Sequence, residues 1–132
     1  MCQGELTLLG STGAGDLCGI SFGKSGTLYA LDPTADELIT LGLPSGGSTT
    51  IGSLGFNLGS CGLAYDCVND IMYGVDQGTK RLFQLDLATG QATNFVNIGI
   101  AAIDRVGLEY DPSSEMLLFS NGVGLYELNP ST

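Results

Sequence analysis

Three stretches of this chain, Gly19-Ile-Ser-Phe-Gly23, Gly62-Leu-Ala-Tyr-Asp66 and Gly107-Leu-Glu-Tyr-Asp111, share the pattern glycine, aliphatic, any residue, aromatic, and begin 43 and then 45 residues apart. Internal self-similarity at such a period restricts a fold more than any composition does. A second run follows each: Thr27-Leu-Tyr-Ala-Leu-Asp32, Ile71-Met-Tyr-Gly-Val-Asp76 and Met116-Leu-Leu-Phe-Ser120. After a polar turn (Pro33 to Asp36, Gln77 to Lys80, Asn121 to Gly124) comes a third run, Glu37-Leu-Ile-Thr-Leu-Gly42, Arg81-Leu-Phe-Gln-Leu-Asp86 and Gly124-Leu-Tyr-Glu-Leu-Asn129. Alternation at period two, punctuated by Gly, Pro, Asn and Asp, predicts strands and turns. No helical pattern emerges.

The first two repeats carry a fourth run, Thr49-Thr-Ile-Gly52 and Ala92-Thr-Asn-Phe-Val-Asn-Ile-Gly99, whereas the third stops at Pro130-Ser-Thr132. A run of the same character, Glu5-Leu-Thr-Leu-Leu-Gly10, stands before the first repeat instead. The length of 132 divides by three into 44, the mean of the two spacings. Four strands recurring every 40 to 50 residues are the mark of a β-propeller blade. The run Gly62-Leu-Ala-Tyr-Asp…Ile71-Met-Tyr-Gly-Val-Asp…Arg81-Leu-Phe-Gln-Leu-Asp-Leu-Ala-Thr-Gly resembles blades of uncharacterised bacterial surface and secreted propellers, and more loosely NHL and quinoprotein-like repeats. That resemblance implies fold rather than activity. The Gly-His and Trp-Asp signatures of WD40 repeats are absent, as is the tryptophan docking motif of quinoprotein blades, so no cofactor or partner follows from it. A sandwich or solenoid of hairpins is the competing architecture, but neither demands a whole number of repeats.

The expected fold is therefore all-β: a propeller with three four-stranded blades per chain, in one half-propeller domain over residues 1–132. Blade 1 falls at about 17–53, blade 2 at about 60–99 and blade 3 at about 105–132. Propellers close with roughly four to eight blades, and an open arc leaves two apolar flanks wet. Repeat arrays ordinarily end in polar caps, and the terminal repeats here look as apolar as the middle one. Closed symmetric assemblies are the usual resolution. The sequence thus predicts a homodimeric six-bladed ring in which residues 5–9 of one copy complete blade 3 of the other; a nine-bladed trimer or a piece of a longer chain are the weaker alternatives.

Composition narrows function chiefly by exclusion. Fourteen acidic and four basic residues give a net charge of -10, which disfavours nucleic acid and anionic membranes as partners. With no histidine, Ser-His-Asp and Cys-His nucleophiles and His-ligated zinc have no place within this chain. No stretch approaches 18 apolar residues, and Met1-Cys2-Gln3-Gly4-Glu5 shows neither a basic nor an apolar leader region. The expectation is a soluble chain of open localisation. Cys2, Cys18, Cys61 and Cys67 match no metal spacing, and in a domain of this size they read as free, partly buried thiols.

Candidate site residues follow from the fold by analogy, since propeller ligands sit in loops at the channel mouth. The loops leading into first strands, 10–17, 52–60 and 99–106, share a face with the second-strand ends Asp32, Asp76 and Ser120. Asp16, Asp32, Asp76 and Asp104 are expected to ring that mouth, where oxygen ligands suit Ca²⁺ or Mg²⁺, although Asp at a strand end equally serves to cap a turn. Glu109 stands where the other repeats have Ser21 and Ala64, which calls for a metal or a partner such as Arg105. Cys18 and Cys61 share one repeat position, just before the first strand, and suggest packing near the channel. The leading expectation is a non-catalytic binding or scaffold module without a resident cofactor, holding a small molecule, glycan or peptide at the mouth. The alternative is a metal-assisted hydrolase or lactonase built on Asp16, Asp32, Asp76, Asp104 and Glu109.

Overall fold

The computed structural model describes residues 4–100 and 105–131. These form three antiparallel meanders. Blade 1 contains β1 (Ile20–Phe22), β2 (Leu28–Asp32), β3 (Glu37–Leu41) and β4 (Ser48–Ser53), in that order across the sheet. Blade 2 repeats it with β5 (Cys61–Asp66), β6 (Ile71–Asp76), β7 (Arg81–Leu85) and β8 (Ala92–Asn97). Blade 3 has three strands, β9 (Gly107–Asp111), β10 (Met116–Ser120) and β11 (Leu125–Leu128), with β11 at the open edge. Residues 5–9 belong to no sheet of their own copy. First strands of successive blades lie side by side, β1 against β5 and β5 against β9, while the outer strands splay apart.

Local chemistry explains the turns. Asp32, Asp66, Asp76, Asp86 and Asp111 each accept hydrogen bonds from main-chain N–H groups two or three residues on. The turn after four of them then closes on a residue in the left-handed region: Asp36, Asp70, Lys80 or Glu115, with φ of 55–60°. A carboxylate that mimics a backbone acceptor is why Asp recurs at these corners. The sequence aligned Ser120 with Asp32 and Asp76, and the structure corrects this. Asn121 occupies their place, its side-chain oxygen accepting from the N–H groups of Val123 and Gly124. The hairpin is shorter here, because Asn121 N–H already bonds the Gly124 carbonyl.

Strand pairing fixes which side chains share a face. Towards blade 1, blade 2 presents Leu63-Gly74-Phe83 and Tyr65-Met72-Leu85. These interlock with Leu31, Leu38, Leu54 and Leu58 in one core cluster. Towards blade 2, blade 3 presents Leu108-Phe119 and Tyr110-Leu117-Leu128, which meet Ala64, Tyr73, Val75 and Leu82. Bulk is exchanged along the cross-strand row: Ala30 opposes Ile39, Gly74 opposes Phe83, and Phe119 opposes Tyr126. At Gly74 the exchange is obligatory, since a Cβ there would lie 2.4 Å from the Phe83 ring.

Among the described residues no blade lies against the corresponding face of blade 1, Ile20-Ala30-Ile39 and Phe22-Leu28-Leu41, although Ala30 and Ile39 are buried within the copy. Ile20 and Phe22 are 59% and 56% exposed, whereas of their counterparts in blade 2 Leu63 is 4% exposed and Tyr65 half-buried. The outer strands β4 and β8 each carry a register shift against the third strand, at Leu38/Ile39 and Leu82/Gln84. Such bulges twist an edge away from unplanned pairing.

Candidate functional site

The loops before the first strands and the turns after the second strands meet at one end of the blades. Asp32 joins them in blade 1: its Oδ2 accepts the Gly15 N–H at 3.1 Å, and its Oδ1 those of Thr34 at 2.8 Å and Ala35 at 3.2 Å. Asp76 does the same in blade 2, accepting the N–H groups of Gly59 at 2.8 Å, Gly78 at 3.2 Å and Thr79 at 2.7 Å, and the Thr79 hydroxyl at 2.6 Å. Burial pushes the Asp32 carboxyl up, but the N–H groups of Thr34, Gly15, Ala35 and Asp16 outweigh it and hold the pKa below its ordinary value. Both carboxylates are buried and point into their own loops. They tie each incoming loop to its blade.

The other expected residues are more dispersed. Asp16 is exposed and its carboxylate accepts its own neighbour's N–H, that of Leu17, at 2.8 Å. Asp104 lies outside the described residues. Arg105 is exposed just ahead of β9, and no salt bridge joins it to Glu109 among the described residues. Glu109 is exposed on the face of β9 that points away from blade 2, its carboxylate accepting the Tyr110 N–H at 3.0 Å. Among the described residues no group of three or more His, Cys, Asp or Glu is placed to hold a metal.

An open cavity of about 540 Å³ lies at this mouth between blades 1 and 2. Asp16, Thr34 and Ser60 give it polar groups, Leu17, Pro33 and Leu58 apolar walls, and the sulfurs of Cys18 and Cys61 line its side. Those two cysteines form a disulfide, which overturns the expectation of free thiols. The physical reason is geometric. Repeat-equivalent positions on adjacent first strands converge near the axis, so residues 43 apart in sequence come to a Cα separation of 5.2 Å. The third counterpart is Val106, so the cross-link stops at blade 2. Cys67 is a free, exposed thiol, and Cys2 lies outside the described residues.

The opposite end of the blades holds a polar contact that sequence reasoning did not single out. Lys24, in the turn after β1, pairs with Asp70 of blade 2 at 3.2 Å, and the Tyr65 hydroxyl donates to the same carboxylate. The hydrogen bond to Asp70 pushes the Tyr65 phenol up to about 12. Exposure of both charged groups leaves the pair little weight in stability. It could have been sought as the one cation of blade 1 facing an acidic turn.

No protein-family model and no curated protein matches the chain in sequence. Solved structures do match in three dimensions. Virginiamycin B lyase from Staphylococcus aureus shares 13% identity at a TM-score of 0.66, over 87% of this chain and 38% of its own. An auxiliary nutrient binding protein from Bacteroides ovatus shares 15% at 0.68, over 89% and 29%. The PQQ-bound aldose sugar dehydrogenase from Streptomyces coelicolor shares 16% at 0.65, over 91% and 46%. The chain thus spans less than half the length of each. These neighbours are β-propellers whose functions range from catalysis to binding, and the likeness places this chain's fold, without its activity, among the propellers.

Proposed function

We propose that two copies close into an acidic six-bladed ring that acts as a non-catalytic binding or scaffold module, with the mouth cavity as the seat of a small molecule, glycan or peptide. The observation that supports closure is the placement of the segment around Gly10. Its contacts with the outer turn of blade 1 duplicate those that the end of β4 makes with the outer turn of blade 2. A Cβ on Gly10 would lie 2.1 Å from the Ser45 carbonyl oxygen, as one on Gly52 would lie 2.1 Å from that of Thr89. The Ser48 N–H donates to the Thr12 carbonyl at 2.9 Å, as the Ala92 N–H donates to that of Leu54 at 3.0 Å. The segment from Gly10 to Thr12 thus lies on blade 1 as the end of β4 lies on blade 2, which supports residues 5–9 serving as the fourth strand of a preceding blade. In front of it Leu6 and Leu8 are 97% and 88% exposed, and β11 offers an open edge for strand addition.

The facing residues suit such a joint. The Tyr110 hydroxyl is buried against blade 2 without a hydrogen-bond partner among the described residues, and burial together with the nearby Asp66 carboxylate pushes its phenol up to about 12. Its counterpart on the free face is Phe22, which has no hydroxyl to satisfy. The carboxylate Phe22 would meet, Asp111, already accepts both the Ser113 and Ser114 hydroxyls.

Light scattering across a concentration series tests the reading. A mass of twice 13.6 kDa is expected for the chain, and a reduction to one copy for Gly10→Val, whose side chain displaces the ribbon. A mass that stays at 13.6 kDa under every condition overturns the ring.

A further inference from the structure

The mouth cavity between blades 1 and 2 carries a chemistry that ring closure does not use. Both halves of the Cys18–Cys61 cystine line it, and its volume of about 540 Å³ opens to solvent. That size suits a small molecule. The two sulfurs are not equivalent: Cys61 is 6% exposed, whereas Cys18 is half-buried and so the easier to reach.

Neither loop that ends in the cystine depends on it for its place. Ahead of Cys18, Asp32 accepts the Gly15 N–H at 3.1 Å, and the Leu31 carbonyl accepts that of Cys18 at 3.2 Å. Ahead of Cys61, Asp36 accepts the Leu58 N–H at 2.8 Å and Asp76 that of Gly59 at 2.8 Å. Leu31, Leu38, Leu54, Leu63 and Phe83 close the joint behind them. A cross-link whose two ends are held independently can open and re-form while the blades stay packed, and cystines within reach of solvent are the ones that exchange. Asp16 is the charged side chain in the cavity lining, with the Thr34 and Ser60 hydroxyls beside it. In a chain of net charge -10, that carboxylate draws a cationic thiol in and repels an anionic one.

We infer that the cavity is a thiol–disulfide exchange site for a small aminothiol. The aminothiol's thiolate attacks Cys18 Sγ, the bond from Cys18 Sγ to Cys61 Sγ breaks, and Cys61 Sγ leaves as a thiolate that takes up the proton the aminothiol gave up. A second aminothiol attacks the first one's sulfur in the mixed disulfide and frees Cys18 as a thiol. Two thiols are thus oxidised to one disulfide while the cystine is reduced by two electrons. Everything required lies within one copy, so the site stands whether or not the ring forms.

The test follows reduction of the chain by cysteamine and by mercaptoethanesulfonate, with Cys2→Ser and Cys67→Ser in place so that no other thiol exchanges. Mass spectrometry locates the adduct, and amide NMR reports the fold. The expected result is a rate proportional to thiol concentration, a mixed disulfide on Cys18, and a reduced chain that keeps its folded spectrum. Cysteamine should be the faster once each thiol is scaled to its rate with a free disulfide, and Asp16→Asn should narrow that preference by about two- to fivefold. Ser60→Trp and Thr34→Trp, which fill the cavity from opposite blades, should each slow cysteamine by about tenfold. Reduction that is indifferent to thiol concentration and no faster than unfolding overturns the exchange site, as does unfolding on reduction, an adduct on Cys61, or a rate that neither tryptophan changes. Equal scaled rates for the two thiols overturn the choice of an aminothiol.

Discussion

Blade 2 and blade 1 carry the same set of positions on one face, yet the start of the first strand is sealed in one and exposed in the other. Leu63 is covered by blade 1 and tied in by a neighbouring disulfide; Ile20, its equivalent, faces solvent. The comparison separates what a blade needs in order to fold from what it needs in order to assemble. Each formed joint seals the faces on its two sides, and the unsealed flank of blade 1 is left with Ile20 and Phe22 exposed.

The largest contrast lies in Phe83 against Phe22. Phe83 is fully buried between blades 1 and 2, so Phe83→Ala should lower stability by about 3–5 kcal/mol, measured by chemical denaturation. Phe22→Ala should change the stability of a single copy by about 0.5 kcal/mol or less and act on association instead. A large loss from both would erase the distinction between the sealed and open faces.

Next comes the cystine. Cys18→Ser with Cys61→Ser should cost about 2–4 kcal/mol, because the cross-link restrains a long stretch of unfolded chain. If reduction leaves the melting temperature unchanged, the seal of the first joint rests on its leucines alone.

Below the cystine comes the loop tether. Asp32→Ala should cost about 1–3 kcal/mol by leaving the N–H groups of Gly15 and Thr34 without their acceptor. Since the folded pKa of Asp32 and of Asp66 is lowered, their contribution is present above the ordinary value of 3.8 and is lost as the pH falls below it. Acid denaturation of Asp32→Ala should therefore show a shallower loss over that range than the parent chain.

Much of the architecture could be read from residues alone, because its causes are local. Alternation in Arg81-Leu-Phe-Gln-Leu gives a strand, and Asp76 followed by Gln-Gly-Thr-Lys gives the corner. What escaped depends on distances between repeats. Cys18 and Cys61 pair only because the fan brings equivalent positions together near its axis, which no spacing rule states. Asn121 was displaced by one position because its hairpin is shorter than those after Asp32 and Asp76. Asp32 and Asp76 were legible as polar groups at the mouth, but a metal ligand and a turn cap use the same side chain, and only the main-chain N–H groups around them distinguish the two.

The cystine between blades 1 and 2 also changes how the chain would come apart. A protease that cuts anywhere from residue 19 to residue 60 severs the polypeptide but not the pair, because both fragments stay bolted together by sulfur until a reductant arrives. Blade 3, with Val106 where a third thiol would stand, has no such safeguard: a single cut between blades 2 and 3 leaves it held by its packed joint alone.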